Sequence, residues 1–182
     1  MVLLHSLPLI FASLFSMVPT SVGAYQDQLV ERMSDAYIKG ELHLSPNKMQ
    51  EVECLSKNIW YEARGEVTKG KTMVANVVYN RMNYGRPFAN TVCGVVYQKY
   101  QFSWTLEANK KNSTFQQIAK KHWKIEHKHV KEANMIAIRS VVFGPPNLTT
   151  ATHFCSATCN FRAVRFEERV GGHDFFTYLS KW

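Results

Sequence analysis

The sequence predicts an α+β protein, mostly helical, folded as a single domain with a small C-terminal β-sheet. Three observations carry that expectation. The chain has 182 residues and is 46% hydrophobic, enough for one compact core and short for two. Apolar residues recur at helical spacing in stretches from Gln28 to Val142. After Thr150 the character changes to short, aromatic-rich runs, THFCSA and VRFEERVGGHDFFTYL, punctuated by Gly171-Gly172, which read as extended segments.

Residues 1–24 hold no Lys, Arg, Asp or Glu and run apolar from Leu7 to Val18, ahead of Pro19. Val22-Gly23-Ala24 suits signal-peptidase cleavage after Ala24, which leaves residues 25–182 as the exported domain. Only His5 stands where a basic n-region is usual, so a retained anchor is the alternative. The apolar run is shorter than the roughly 20 residues a spanning helix needs, which favours removal and no stable anchor.

A helix is expected over Gln28 to Lys39, stopped by Gly40. Ser45-Pro46 opens a second one, with Met49, Val52, Leu55, Ile59 and Ala63 on one face. Glu62 falls on its last turn, off that stripe, and Gly65 suits a left-handed stop. A third helix is expected from about Lys71 to Arg81, with Val74, Val77 and Val78 inward. Thr91 caps a short helix through Val96, and Ser113 begins a long one running to Val142, broken near Glu126 to His129. The consecutive prolines of FGPPN end it.

The leader is uncharged, so the whole net charge of +8 belongs to the domain. Seven lysines lie between Lys110 and Lys131, opposed only by Glu126. Lys120, Lys121 and Lys124 are candidates for binding anionic envelope polymers; a solvated helix face is the plain alternative. Four cysteines in an exported chain allow three pairings, and Cys155 and Cys159 are close enough to clip a tight loop. A zinc site using His153 and His173 competes, but only one close-spaced ligand pair is present, so neither metal nor cofactor is expected.

Two stretches suggest chemistry. WYEARGEVTKGKTMVANVVYN, from Trp60, places Glu62 and Glu66 around Arg64-Gly65 at a helix boundary, where a carboxyl can serve as a general acid or merely as a cap. QFSWT, from Gln101 to Thr105, combines an amide, hydroxyls and two rings, the mixture sugar-binding clefts use. Phe102 and Trp104 fit a core equally well.

From Cys54 to Tyr178 the chain resembles the spore-cortex-lytic (SleB-like) cell-wall hydrolase family of bacteria and their phages. The resemblance is carried by IWYEARGEVTKGKTMVANVVYNR, by TVCGVVYQ and QFSW at the expected interval, and by ATHF followed by GGHDFF. It implies a lysozyme-related fold and cleavage of the N-acetylmuramic acid to N-acetylglucosamine bond of peptidoglycan by a single catalytic glutamate. Glu62 matches the family's acid, with Glu66 as runner-up or support. Gln101, Phe102, Ser103 and Trp104 become candidate substrate contacts, and His153 and His173 candidates for orienting the cleft. Relatives often carry a second cysteine where this chain has Leu106, which leaves Cys93 free or paired with Cys54. Asn160-Phe161-Arg162 stands where relatives often show a Pro-Trp pair.

Glycosidic cleavage needs a carboxyl kept protonated by burial, which Trp60, Tyr61 and Phe102 can supply. Arg64 is therefore expected to turn from Glu62 and hold Glu66 ionised. The resemblance favours lytic transglycosylation, in which one glutamate acts as acid and then base, over muramidase hydrolysis. A monomer acting on glycan strands is expected, with nucleic acid no partner. A non-catalytic, basic envelope-binding module is the rival from another class. A metallopeptidase lacks the ligand spacing, and a nuclease lacks a phosphate and metal site.

Overall fold

The structure, a computed structural model, describes residues 21–156 and 159–179. Six α-helices precede a three-stranded antiparallel sheet: α1 Val22–Lys39, α2 Pro46–Ala63, α3 Thr68–Tyr84, α4 Val92–Val96, α5 Ala108–Asn112, α6 Phe115–Phe143, β1 His153–Cys155, β2 Val164–Val170 and β3 His173–Tyr178. A 3-10 turn over Ser103–Leu106 separates α4 from α5. The sheet order is β1-β3-β2. The α+β, mostly helical architecture is as the sequence predicts.

Local chemistry explains the boundaries. Gly40, in left-handed conformation at φ 80°, ends α1 as expected. Its start lies earlier than Gln28, because the Ser21 side chain accepts from Ala24 N and caps the first turn. Residues 1–20 of the expected leader lie outside the described residues. Thr114, rather than Ser113, caps α6 through a reciprocal capping box with Gln117. The expected break falls at Glu126, whose φ of −124° interrupts the helix. α2 stops at Ala63, close to the predicted place, but not by the predicted device. Arg64 keeps right-handed geometry and Gly65 is not among the left-handed glycines; Glu66 N donates to Ala63 O at 2.9 Å instead.

The long α6 packs against α2 and α1, and the main core gathers Leu55, Ile59 and Trp60 with Phe115, Ala133 and Ile138. Inside this core Ser34 Oγ donates to Asn134 Oδ1, and Asn134 Nδ2 to Ser56 Oγ, a buried polar chain that links α1, α6 and α2. A second cluster joins Ala63, Met73, Val74 and Val77 to Val170 and Phe175, and so seats the sheet on α3 and the end of α2. Disulfides join Cys54 to Cys93 and Cys155 to Cys159. The first resolves the choice left open for Cys93, and together they leave no thiolate for the zinc alternative.

Candidate active site

The polar edge of α3 determines what meets the end of α2. Asn80 Nδ2 donates to the carbonyls of Thr149 and Ala151, and Arg81 Nε to Thr152 O at 2.7 Å. These bonds fasten the strand entering β1, and so place His153 beside Arg81. Arg81 is only 4% exposed, with its guanidinium over the rings of Phe102 and Phe88 at 5.0 and 5.3 Å. Its Nη1 has no hydrogen-bond partner among the described residues.

Glu62 faces this group from the last turn of α2. Burial pushes its carboxyl up to about 7, against the opposing pull of the Arg81 and Lys110 charges. No carboxylate is among the charges acting on it. Glu62 makes no hydrogen bond or ion pair among the described residues, so its proton is uncommitted. Next to it, Tyr61 stacks on Trp104 at 4.9 Å and keeps part of its surface open. Lys110 lies over the Tyr61 ring at 5.6 Å.

Glu66 has a different environment. Gly172 N donates to its Oε2 at 2.8 Å, and His173 Nδ1 stands 3.8 Å from its Oε1. The glutamate thus pins the turn between β2 and β3 to the α2–α3 junction. Arg64 does not pair with Glu66, contrary to expectation. It lies over the Trp60 ring at 5.4 Å, with its Nε 3.8 Å from Glu126 Oε2, because the end of α2 runs beside the α6 kink. His173 is 5% exposed, and its basicity is lowered by burial despite Glu66.

The remaining candidates separate by exposure. Phe102 and Trp104 are each 2% exposed, and the Trp104 indole N–H donates to Asn58 Oδ1 at 3.2 Å. Their rings are core; Trp104 reaches the site only through Tyr61. Gln101 is partly open and Ser103 exposed. His153 bonds Thr152 Oγ1 through Nδ1 at 3.0 Å and packs on Tyr178 at 4.6 Å. Burial, then the Arg81 charge, lowers it to about 4, so it is neutral at pH 7. Asp174 is occupied by a bidentate pair with Arg169, at 2.6 and 2.7 Å. Lys120, Lys121 and Lys124 are exposed on α6.

Arg81, Tyr178 and Lys110 received no role from sequence reasoning. The Asn80-Arg81 pair closing the long motif was the available signal for Arg81; Tyr178 and Lys110 had none. The assembled group offers a carboxyl whose acidity is weakened by burial, beside a buried cation, a neutral imidazole and an accessible ring. It is suited to delivering one proton to a bound polar substrate.

Among the described residues no helix is long and apolar enough to cross a membrane, and no cluster of metal-ligating side chains occurs. Curated protein sequences contain no match to the chain. The catalytic domain of the germination-specific lytic transglycosylase SleB from Bacillus anthracis is a similar solved structure, 20% identical, with a TM-score of 0.47 over 72% of this chain and 95% of that one. The cell wall hydrolase family profile matches residues 65–176, a span that takes in Glu66, Arg81, His153 and His173 and begins just beyond Glu62. The match spans more than half of the sequence, and the chain therefore belongs to the cell wall hydrolase family, whose members are cell-wall lytic enzymes that degrade peptidoglycan.

Proposed function

We propose that the chain cleaves the bond between N-acetylmuramic acid and N-acetylglucosamine as a lytic transglycosylase, with Glu62 as its one catalytic carboxyl. The observation that carries this reading is the Glu62 carboxyl, raised to about 7 by burial and without a neighbouring carboxylate. Near neutrality such a group is populated in both protonation states, as an acid that later serves as base must be. Glu62 gives its proton to the glycosidic oxygen, the C1–O bond breaks, and the departing sugar leaves as an alcohol. The 6-hydroxyl of the muramic acid then attacks C1 and returns its proton to Glu62. No water is consumed, and the product carries a 1,6-anhydro ring.

Hydrolysis with retention would call for a second carboxyl some 5–5.5 Å away. Glu66, committed to Gly172 N and the hairpin turn, is poorly placed for that part, which supports the single-acid scheme. Glu66 instead serves the site by holding the sheet against α2. Gln101, partly open, and Ser103, exposed, serve with Tyr61 as sugar contacts. Arg81 accompanies the Glu62 carboxylate after proton delivery, its guanidinium kept in place by the Thr152 carbonyl and the Phe88 and Phe102 rings.

Digestion of purified peptidoglycan with wild type and Glu62→Gln, followed by product masses, tests this. Anhydromuramic ends are expected from wild type and none from a folded variant. Reducing ends alone would assign hydrolysis, and clearing by the variant would remove Glu62 from the role.

The enzyme is further proposed to be exported, with cleavage after Ala24. Cleavage there removes the Ser21 cap, so the mature helix starts at Tyr25 with a frayed first turn. Mass measurement of protein recovered from the cell envelope checks the position; an intact N-terminus would mean a retained leader. Lys120, Lys121 and Lys124 supply the affinity for anionic envelope polymers.

A further inference from the structure

Between the C-terminal half of α1 and the first half of α6 lies a groove of about 570 Å³, lined by Ile38, Lys39, Gln116, Ala119, Lys120 and Trp123, with Asp35 at one end. We infer that this groove is a second binding site for the wall polymer, in which a sugar ring of a peptidoglycan strand stacks on Trp123 while stem-peptide carboxylates lie along the neighbouring lysines. The inference rests on the reading of the chain as a peptidoglycan-cleaving enzyme and adds a site that holds the strand away from Glu62.

The indole is the first observation. Trp60 and Trp104 are 1% and 2% exposed, whereas Trp123 is 41% exposed at the groove wall. An open ring beside an amide and a carboxylate matches the two sides of a pyranose, its apolar face and its hydroxyls.

Uncompensated charge is the second. Lys131 is bound by Glu31 and Asp35, at 2.8 and 3.0 Å. Lys39, Lys120, Lys121, Lys124 and Lys128 have no ion pair among the described residues. Lys120 and Lys124, four residues apart before the break at Glu126, lie about 6 Å from each other on the helix surface, and Lys128 follows just beyond the break. A ridge of cations left without partners complements a polymer that carries carboxylates at intervals.

The groove is also preformed. Tyr37, 2% exposed, donates through its hydroxyl to Glu53 Oε2 at 2.6 Å, and the same carboxylate accepts from Phe115 N at the first turn of α6. Both walls are thereby tied to α2. The site is distinct from the Glu62 group: none of the groove's lining residues is among the charges that act on Glu62.

Co-sedimentation of the Glu62→Gln chain with purified sacculi tests the inference, since that chain can hold the wall without cutting it. Trp123→Ala is expected to raise the half-saturating concentration at least fivefold, and Trp123→Phe less than twofold. Lys120→Glu with Lys124→Glu should weaken binding as much and make its salt dependence shallower. Each variant is checked for an unchanged melting transition; the exposed lysine pair keeps the test open should Trp123→Ala fail to fold. Trp123→Ala binding like its parent overturns the inference. So does competition by a short DNA duplex as effective as by soluble peptidoglycan fragments, which would mark the ridge as a general polyanion surface. Fragment release from the same sacculi by the wild-type chain is scored separately. Its absence, with Trp123-dependent binding intact, would count against the enzymatic reading alone.

Discussion

Glu66 and Gly172 are joined by a 2.8 Å hydrogen bond across 106 positions of sequence, from the backbone N–H of the β2–β3 turn to a carboxylate at the α2–α3 junction. The turn is shaped for it: Gly171 has φ 58°, and a Cβ there would collide with Glu66 Oε2. Glu66→Ala is expected to lower stability by about 1–3 kcal/mol, the cost of stranding a charge-assisted bond. Glu66→Gln, which keeps an acceptor, should retain most of that stability and measurable activity. Urea denaturation and fragment release from sacculi check both; loss of all activity in a fully stable Glu66→Gln would return Glu66 to the chemistry.

Glu62 makes stability depend on pH with a defined sign. Its folded value of about 7 exceeds the ordinary value of 4.5, so the folded chain holds a proton that the unfolded chain releases between these limits. Stability from this group is complete below about pH 4.5 and declines as pH rises toward 7. Glu62→Gln removes the charge that must be buried and should stabilise the protein at pH 8, on the order of 2 kcal/mol. Melting curves at pH 5 and pH 8 should diverge for wild type more than for the variant.

The Arg81 charge opposes the rise in the Glu62 pKa that burial causes, and its removal should shift the alkaline side of the activity profile upward. Arg81→Met lets the carboxyl pKa rise further, so the limb that falls near pH 7 moves to higher pH. Arg81→Lys should keep the limb close to wild type. Rates of sacculus clearing between pH 5 and pH 9 read this directly, and an unmoved limb in folded Arg81→Met would separate the two residues.

Trp104 distinguishes core from substrate contact. With its ring 2% exposed and its indole bonded to Asn58, Trp104→Ala should cost about 3–5 kcal/mol by leaving a cavity. Tyr61→Ala, altering the partly open ring, should instead raise KM for glycan fragments with a smaller loss of stability. Thermal unfolding and steady-state kinetics on the two variants would reverse in order if Trp104 met the sugar.

The Cys54–Cys93 bridge closes a loop of 39 positions, for which chain entropy alone predicts about 4 kcal/mol of stabilisation. Cys54→Ala with Cys93→Ala should lower the denaturation midpoint accordingly, with no change in the pH limb. A shift of that limb would mean that the bridge also shapes the Glu62 environment.

Much of this was legible in the chain. Helix periodicity, the Gly40 stop, the Thr91 cap, the break at Glu126 and the extended tail are written in local residue order, because backbone conformation responds to neighbours three or four positions away. The placement of Glu62 at the end of α2, off the buried stripe, follows from the same spacing. The closeness of Cys155 and Cys159 in the chain allowed the clip that the fold forms, while leaving the choice among three pairings open.

Tertiary structure decided the rest. Whether Phe102 and Trp104 met sugar or core depended on what α2, α3 and the sheet placed over them. Arg64 and Arg81 are both arginines near Glu62 in the motif, yet the nearer one in sequence left for Glu126 and the farther one turned in, held by the carbonyl of Thr152. A carboxyl acquires its acidity from the charges and surfaces that enclose it, and those come from segments far apart in the chain. The sequence determined that a glutamate would stand at a helix end; only packing decided that it would be half-buried, beside a cation, and without a second carboxylate acting on it.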